Sequence, residues 1–170
     1  NLISKLIYFE RNLKKNYLIG LKCRNAKKND IKQIINVAKE NNLNSRFLID
    51  KSVSKKFKEK YRSEWVKNFF RKKRGDYLLV VEQNEKILGF MLILKKKNYL
   101  TIDLIATSKK YRKRGVATSL INYTNNNIMG KKDKIIAGTQ INNLVAVKMY
   151  KKLGFIKKKV ETFCYHLHGR

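Results

Sequence analysis

Proline, acidic side chains and long apolar runs are what this 170-residue sequence lacks. It contains no proline, and only 12 Asp and Glu residues against 41 Lys and Arg. With no proline-rich linker and no internal repeat, a chain of this length is expected to fold around one core. No apolar run approaches the roughly 20 residues of a membrane-spanning helix, and the first residues do not follow the pattern of a signal peptide. We therefore expect a soluble cytoplasmic protein that makes no contact with a membrane.

Cysteine is scarce as well, because the chain has only Cys23 and Cys164. They form no Cys-x-x-Cys pair, so the sequence predicts no zinc site and no other metal. Two reduced thiols are the commoner state in a reducing compartment, and a disulfide between them is the alternative.

The formal net charge of +29 is the strongest feature of the composition. A balance this basic indicates anionic partners, such as nucleic acid, a membrane surface or a phosphorylated ligand. Genome bias is the competing explanation, since Lys, Asn and Ile have AT-rich codons and the cations are spread over the whole chain. A nucleic-acid-binding module is therefore the rival to an enzyme with incidental charge, although the sequence carries no signature of a recognition helix or a stacking surface.

The hydrophobic periodicity changes along the chain and predicts a mixed α/β fold. Residues 1–16 carry no clear pattern, and a single domain over 17–170 is expected to hold a central mixed sheet flanked by helices. Aromatic side chains recur every four residues after Asp50, which is typical of a helix packed on a core. Asn84-Glu85 predicts a hairpin turn, and Gly154 a helix end. The predicted strands are 17–24, 77–83, 86–96, 99–108, 135–141 and one or two over 155–167, and the predicted helices begin at 29 or 30, after 50, at 115 and at 143.

A cationic loop, from Lys109 to Arg114, lies between a predicted strand and a predicted helix. A helix start leaves unpaired N–H groups and carries partial positive charge, so an anion docks there readily. Gly115 and Ala117 are small enough to let a phosphate approach the backbone, and Arg112 would add charge. This placement favours a cradle for the phosphates of one small molecule over a patch for duplex nucleic acid.

The loop motif Arg-x-x-Gly-x-Ala at 112–117 gains weight from a second motif one strand later. The second motif is supplied by Asn143, Ala146, Tyr150, Gly154 and Phe155. Together they resemble the GNAT superfamily of acetyl-CoA-dependent N-acetyltransferases, whose patterns are (Arg/Gln)-x-x-Gly-x-(Gly/Ala) and Asn-x-x-Ala-x-x-x-Tyr-x-x-x-Gly-Phe. The resemblance extends over about residues 17–167, and it implies the GNAT fold with acetyl-CoA as cosubstrate.

The same resemblance implies a role for each motif residue. Backbone N–H groups of 113–118 would hold the CoA pyrophosphate, and strand residues 105–107 would align the pantetheine arm in a splayed part of the sheet and polarise the thioester carbonyl. Tyr150 would protonate the departing thiolate, and the alternative is that it is only an aromatic residue of the core. Asn143 would contact CoA, and the alternative is that it only caps a helix. The expected cofactor-binding residues are Ile105, Ala106, Thr107, Arg112, Lys113, Arg114, Gly115, Val116, Ala117, Thr118 and Asn143, and the expected catalytic residue is Tyr150.

The reaction needs a neutral amine, because an ammonium group has no lone pair with which to attack the carbonyl. Asp103 and Glu82, both on predicted strands, are candidates for the base that removes the proton. A structural role for either carboxylate and a water chain in place of a protein base are the alternatives. Neither cysteine is needed as a nucleophile, since transfer requires no covalent enzyme intermediate.

Several short strings are similar to the dTDP-fucosamine N-acetyltransferase group, which acetylates a dTDP-linked 4-amino-4,6-dideoxy sugar. The strings are Ser45-Arg46-Phe47, Tyr61 with Trp65, Gly138 to Asn143, Thr162-Phe163 and His166-Leu167. This resemblance implies a nucleotide-linked amino sugar as the acceptor. Arg46 is expected to meet a substrate phosphate, with a structural salt bridge as the alternative, and Trp65 to offer an aromatic surface, with core packing as the alternative. Acetylation of protein N-termini is the alternative, but such enzymes typically carry a glutamate five residues before the motif asparagine, where this chain has Gly138. A homodimer is left open.

Overall fold

The computed structural model describes residues 2–14, 20–41, 50–131 and 133–165. The strands in these ranges are β1 (Leu2–Asn12), β2 (Cys23–Asn25), β3 (Tyr77–Gln83), β4 (Lys86–Lys95), β5 (Tyr99–Thr107), β6 (Lys134–Gln140) and β7 (Ile156–Tyr165). The helices are α1 (Ile31–Glu40), α2 (Lys55–Phe70), α3 (Val116–Asn127) and α4 (Leu144–Lys152). Short 3-10 turns at Lys28–Asp30 and Lys109–Tyr111 precede α1 and follow β5.

The described strands form one sheet in the order β2-β3-β4-β5-β6-β1-β7. Neighbouring strands are antiparallel except β5 and β6, which are parallel. The first strand, in a segment whose sequence pattern was ambiguous, lies between β6 and β7. Its Ile7 and Phe9 are buried in the core, so Tyr8 faces the opposite side by strand alternation. The mixed sheet with flanking helices confirms the predicted fold class.

Helices cover both faces of the sheet and create two clusters of buried side chains. On one face, Leu120 and Ile121 of α3 and Tyr150 of α4 pack against the sheet. On the other face, Ile34 of α1 and Val66 of α2 do so. Because β3 and β4 are covered on both sides, they read as nearly continuous apolar runs.

Most predicted elements appear close to the expected positions. Asn84 and Glu85 both have positive φ angles, +48° and +60°, as a two-residue type I′ hairpin requires. Gly154 follows α4 with a φ of +77°. In the aromatic stripe of α2, Tyr61 is buried as predicted for a core position, whereas Phe57 is exposed and stacks on the Tyr61 ring with centroids 6.0 Å apart.

The prediction of a strand over 17–24 is wrong for residues 20–22, which precede β2. Only Cys23 and Arg24 of that range belong to β2, and residues 17–19 lie outside the described residues. Upstream of β2, the backbone N–H of Leu21 donates to Oγ of Ser119 on α3 over 2.9 Å. Gly20 sits so close that a Cβ would lie 2.7 Å from the same oxygen. Gly20 and Leu21 therefore pack on a helix, and hydrogen bonding to β3 begins only at Lys22, whose carbonyl accepts from the N–H of Glu82 over 3.1 Å.

Cys23 and Cys164 are not joined by a disulfide, so the bridge considered from the sequence is not formed. Burial raises the pKa of the Cys23 thiol to about 11, which keeps it protonated near neutral pH. In the part of the chain that the structure describes, no helix is both long enough and apolar enough to cross a membrane.

Gly89 of β4 is the strand glycine at which the sheet and α3 approach most closely. A Cβ there would lie 2.6 Å from Cγ1 of Val116 and 2.7 Å from the carbonyl oxygen of Ala106. We expect Gly89→Ala to destabilise the fold by about 1–3 kcal/mol through overpacking, measured by thermal unfolding. Gly138→Ala on β6 is the matched control, because its Cβ would meet only the ring of Tyr8, at 3.2 Å. Equal losses from the two variants would contradict this explanation.

Candidate active site

The parallel pairing between β5 and β6 stops partway along both strands. Four residue pairs join them, the last being Ile102 with Ala137, although β5 continues to Thr107 and β6 to Gln140. The register of β5 against β4 shifts at the same place, which leaves Asp103 as the extra residue of a β-bulge. A bulge bends its strand, so β5 turns away from β6. The space between residues 103–107 and 138–140, called the wedge below, is thus bordered by strand edges that do not pair with each other.

Two side chains hold the Asp103 carboxylate at the bulge. Trp65 donates from Nε1 to Oδ2 over 2.7 Å, and Arg74 donates from Nε to Oδ2 over 2.6 Å and from Nη2 to Oδ1. The Arg74 guanidinium also lies over the indole ring, 5.1 Å from its centroid. Hydrogen bonding to Asp103 raises the pKa of Arg74. Trp65, expected to bind substrate, and Asp103, a candidate base, are therefore both engaged in supporting the sheet.

Glu82, the other candidate base, lies away from the wedge on β3. Arg24 of β2 donates to this carboxylate and to Asp30, the latter over 2.6 Å. This ion-paired cluster ties β2 and the start of α1 to the sheet, and it places Glu82 two strands from β5. No three His, Cys, Asp or Glu side chains within the described ranges come together as metal ligands.

The loop after β5 reaches α3 through two residues in left-handed backbone conformations. Lys113 has a φ of +62° and Gly115 a φ of +80°. Such a conformation is strained for a lysine, and it is often found where a loop binds a ligand. Gly115 is the N-cap of α3 and has no side chain with which to cap the first turn, and a Cβ there would meet nothing within 4 Å. Backbone N–H groups and open space therefore meet at this helix start, an arrangement suited to an anion.

The C-terminal end of α1 holds this loop in place. Glu40 accepts a hydrogen bond from the backbone N–H of Lys109 over 2.7 Å. Asn41 accepts from Nη2 of Arg112 over 2.9 Å and donates to the carbonyl of Thr107 over 3.0 Å. Sequence reasoning missed Glu40 and Asn41, because nothing in a helix end signals which distant loop it contacts. Arg112 is thus attached to α1 while its charge stays beside the loop.

Tyr111 anchors the cationic loop from its other side. Its ring packs against the core under α3, and the Lys110 ammonium and the Arg114 guanidinium lie 5.8 and 5.7 Å from its centroid. Cations within about 6 Å of an aromatic face are attracted to it. The aromatic residue inside the basic run is therefore a structural anchor for two of its charges.

Tyr150 of α4 is buried on the face of the sheet that α3 covers. It is 3% exposed and packs between Phe9 and Phe155, with ring centroids 5.5 and 5.2 Å away. Burial raises the pKa of its hydroxyl, because the charged phenolate would be poorly solvated there. Tyr150 therefore keeps its proton throughout the neutral range while being well packed in the core.

Asn143 forms the cap at the start of α4. Its Oδ1 accepts from the backbone N–H of Ala146 over 3.3 Å, and its Nδ2 donates to Oγ1 of Thr139 over 3.1 Å. This is the helix-cap role that the sequence left as the alternative to a CoA contact. The cap fixes where α4 leaves the end of β6, and so it fixes the position of Tyr150.

A groove of about 730 Å³ runs along the face of the sheet opposite α3 and α4. Its lining residues are Tyr8, Lys97, Asn98, Tyr99, Thr101, Asp133, Lys134, Ile136, Gly138, Lys158 and Val160. The ring of Tyr8 lies against Gly138, and its hydroxyl is 3.0 Å from Oγ1 of Thr162. Three lysines and one aspartate line the groove, and one of the lysines, Lys158, is paired with Glu10 over 2.7 Å. The lining is therefore positive, and one end of the groove lies at Gly138, beside the wedge.

The structure thus gathers the predicted residues 105–107 and 112–118 around one opening. Tyr150 lies behind the sheet on the side of α3, and Trp65 lies at the bulge. Arg46 lies outside the described residues, as do Ser45, Phe47 and the C-terminal His166-Leu167-His168.

Comparison with known proteins identifies a family and several relatives. The family model described as "Acetyltransferase (GNAT) family" matches residues 42–155. Spore coat polysaccharide biosynthesis protein SpsD of Bacillus subtilis is 24% identical over 139 residues, which cover 81% of this chain and 47% of SpsD. N-alpha-acetyltransferase 30 of Xenopus laevis is 35% identical over 69 residues, or 40% of this chain and 25% of that protein. The chain thus spans less than half the length of these two relatives.

A solved structure supports the fold. The PaiA N-acetyltransferase of Thermoplasma acidophilum, crystallised in complex with coenzyme A, superposes with a TM-score of 0.55 at 18% identity. The alignment covers 79% of this chain and 88% of that protein. Since the family model spans the greater part of the chain, including both motifs, this protein belongs to the GNAT family of acetyltransferases, as the two motifs predicted.

Proposed function

We propose that this chain transfers the acetyl group of acetyl-CoA to a primary amine, with the CoA pyrophosphate on the loop 112–118 and the pantetheine arm in the wedge. The observation that carries the proposal is the meeting of an unpaired strand edge with an uncapped helix start. The first offers backbone groups to an amide-containing arm, and the second offers N–H groups to a diphosphate. Lys113 and Gly115, with their left-handed backbone, shape that anion site.

The chemistry needs little beyond positioning. The amine nitrogen attacks the thioester carbonyl, the C–N bond forms, the C–S bond breaks, and the sulfur leaves as a thiolate that takes a proton. A backbone N–H among residues 105–107 would stabilise the oxyanion, as preorganised donors do. Tyr150 would supply the proton to the sulfur. Burial raises the pKa of Tyr150, so the hydroxyl carries the proton that a general acid must donate.

Gly115→Glu tests the CoA site directly. A carboxylate at the helix start should repel the diphosphate and abolish acetyl-CoA binding in isothermal titration. Gly154→Glu is the matched control, because Gly154 has nearly the same φ, +77° against +80°, and its Cβ would also meet nothing within 4 Å. Both variants should cost about 1–3 kcal/mol for the left-handed backbone, and only the first should lose binding. A folded Gly115→Glu protein with unchanged affinity would refute the site.

Tyr150→Phe tests the general acid. The variant keeps the ring between Phe9 and Phe155 and removes the proton, so kcat should fall by about 100-fold with acetyl-CoA affinity unchanged. Tyr123→Phe on α3 serves as the control for losing a tyrosine hydroxyl, and it should behave as wild type. A near-normal kcat in Tyr150→Phe, with chemistry rate-limiting, would reject this role.

A nucleotide-linked amino sugar is the acceptor that we propose for this site. The groove offers the ammonium groups of Lys97 and Lys134 to a diphosphate, since Lys158 is paired with Glu10, and the rings of Tyr8 and Tyr99 to a base or sugar. At Gly138 there is no carboxylate, and the Tyr8 ring lies 3.2 Å from where a Cβ would stand. The name of SpsD, which refers to polysaccharide biosynthesis, agrees with a sugar acceptor.

Acetylation of a protein N-terminus is the second candidate. The likeness to N-alpha-acetyltransferase 30 favours it. This match has a higher identity than the match to SpsD, 35% against 24%, but it extends over 69 residues against 139. The two candidates differ in charge, since a sugar nucleotide carries a diphosphate and a peptide N-terminus does not. The lysines of the groove therefore separate them.

An acceptor panel decides between the two. The enzyme and acetyl-CoA are incubated with dTDP-linked 4-amino-4,6-dideoxygalactose, spermidine or a peptide with a free N-terminus, and thiol release and product mass are followed. We expect the sugar nucleotide to be acetylated and Lys97→Gln/Lys134→Gln to raise its KM by about tenfold. The double variant Lys28→Gln/Lys32→Gln removes the same charge from exposed positions near α1 and should change little. Turnover of the peptide without the sugar would defeat the sugar assignment and leave the acetyltransferase assignment standing.

A further inference from the structure

The side chain of Gln140 contains a buried oxygen that the fold does not use. The residue is 9% exposed, and its Oε1 is buried without a hydrogen-bond donor among the described residues. A buried carbonyl oxygen that has lost its water and gained no partner destabilises the folded state. The unpaired Oε1 of Gln140 therefore indicates that a bound molecule, and not the described part of the fold, donates the hydrogen bond to it.

Gln140 occupies the point where the groove meets the wedge. It is the last residue of β6, three residues beyond Ala137, where pairing with β5 ends. Strand alternation places its side chain on the same face as Ile136 and Gly138, which line the groove. A molecule that filled the groove and reached the wedge would therefore lie on the same side of the sheet as this side chain, at the edge of β6 that borders the wedge.

No described carboxylate near this point is available to receive a proton. Asp103 is held by Arg74 and Trp65, and Glu161 of β7 is paired with Lys5 and Lys157. Hydrogen bonds from both lysines lower the pKa of Glu161 and keep it charged. Asp133, in the groove lining, lies seven residues from Gln140 along the strand, which is about 23 Å.

We propose that Oε1 of Gln140 accepts a hydrogen bond from the N–H of the acceptor amine and so aims the nitrogen lone pair at the thioester carbonyl. The inference rests on the proposed acetyl transfer and adds the residue that positions its nucleophile. An amide oxygen is too weak a base to remove a proton. The proton lost from nitrogen after the C–N bond forms therefore passes to water, while the sulfur receives the proton of Tyr150 and water returns one to the phenolate.

Gln140→Met separates this role from a structural one. Met has a similar length and no hydrogen-bonding oxygen, so it removes the acceptor and also removes the unpaired polar atom. With dTDP-linked 4-amino-4,6-dideoxygalactose as the probe, kcat/KM should fall by about 10- to 100-fold. Acetyl-CoA affinity should stay unchanged, and the melting temperature should stay equal or rise. Gln140→Glu keeps oxygen acceptors and should recover part of the lost kcat/KM.

Gln33→Met is the matched control. Gln33 is a glutamine whose oxygen is used by the fold, since it accepts from the backbone N–H of Ile87 over 3.0 Å while its Nε2 donates to the carbonyl of Glu85 over 3.1 Å. Its replacement should lower the melting temperature and leave kcat/KM unchanged, the reverse of the result for Gln140→Met.

Two results would overturn the inference, and they are distinguishable. If wild-type enzyme transfers acetyl and Gln140→Met does so equally well, the positioning role fails alone, and a lowered melting temperature would then assign the side chain to the fold. If wild-type enzyme neither binds acetyl-CoA nor acetylates the probe, spermidine or the peptide, the proposed function fails and the inference fails with it.

Discussion

The bulge at Asp103 is the constraint on which the site depends. Two parallel strands side by side would normally pair to their ends and leave no opening. Here one extra residue turns β5 away from β6 after four pairs, and Arg74 and Trp65 keep that residue in place from the layer of α2. The carboxylate is 7% exposed, so removing one partner would leave a charge with little access to water. Its effect on chemistry is therefore exerted through the shape of the sheet.

Both sides of the wedge are held by other strands and helices. On one side, β5 pairs with β4 from Leu100 to Thr107 on both sides of the bulge, and the end of α1 fastens the following loop through Glu40 and Asn41. On the other side, β6 pairs with β1 from Lys134 to Gln140, which includes the residues that have lost contact with β5. The first strand of the chain therefore keeps the far edge of the wedge in place. An opening built in this way is preorganised, and that suits a reaction governed by positioning.

The features that the sequence predicted correctly are those set by the conformational preferences of neighbouring residues. The loop before α3, the hairpin at Asn84-Glu85 and the helix end at Gly154 each follow from the conformational needs of a few neighbouring residues. The placement of β1 could not be predicted, because its partners are more than 120 residues away along the chain. The role of Asp103 was left open for a similar reason, since a carboxylate acts as a base or as a support according to its neighbours. Gln140 carried no signal, because only the folded chain shows that its oxygen lacks a partner.

The ion pairs of the structure show how the excess positive charge of the protein is distributed. Asp103, Glu82 and Glu161 are bound by neighbouring Arg or Lys side chains, so these three carboxylates support the sheet. Many cations, among them Lys97 in the groove, form no ion pair within the described ranges. The resulting positive field would draw anionic molecules toward both openings, an effect that weakens as salt is added. Such a field changes the rate of encounter and the KM, whereas the rate of the chemical step depends on how well the wedge aligns the reacting atoms. Dispersed charge and a precise site can therefore coexist in one small fold without the charge defining the chemistry.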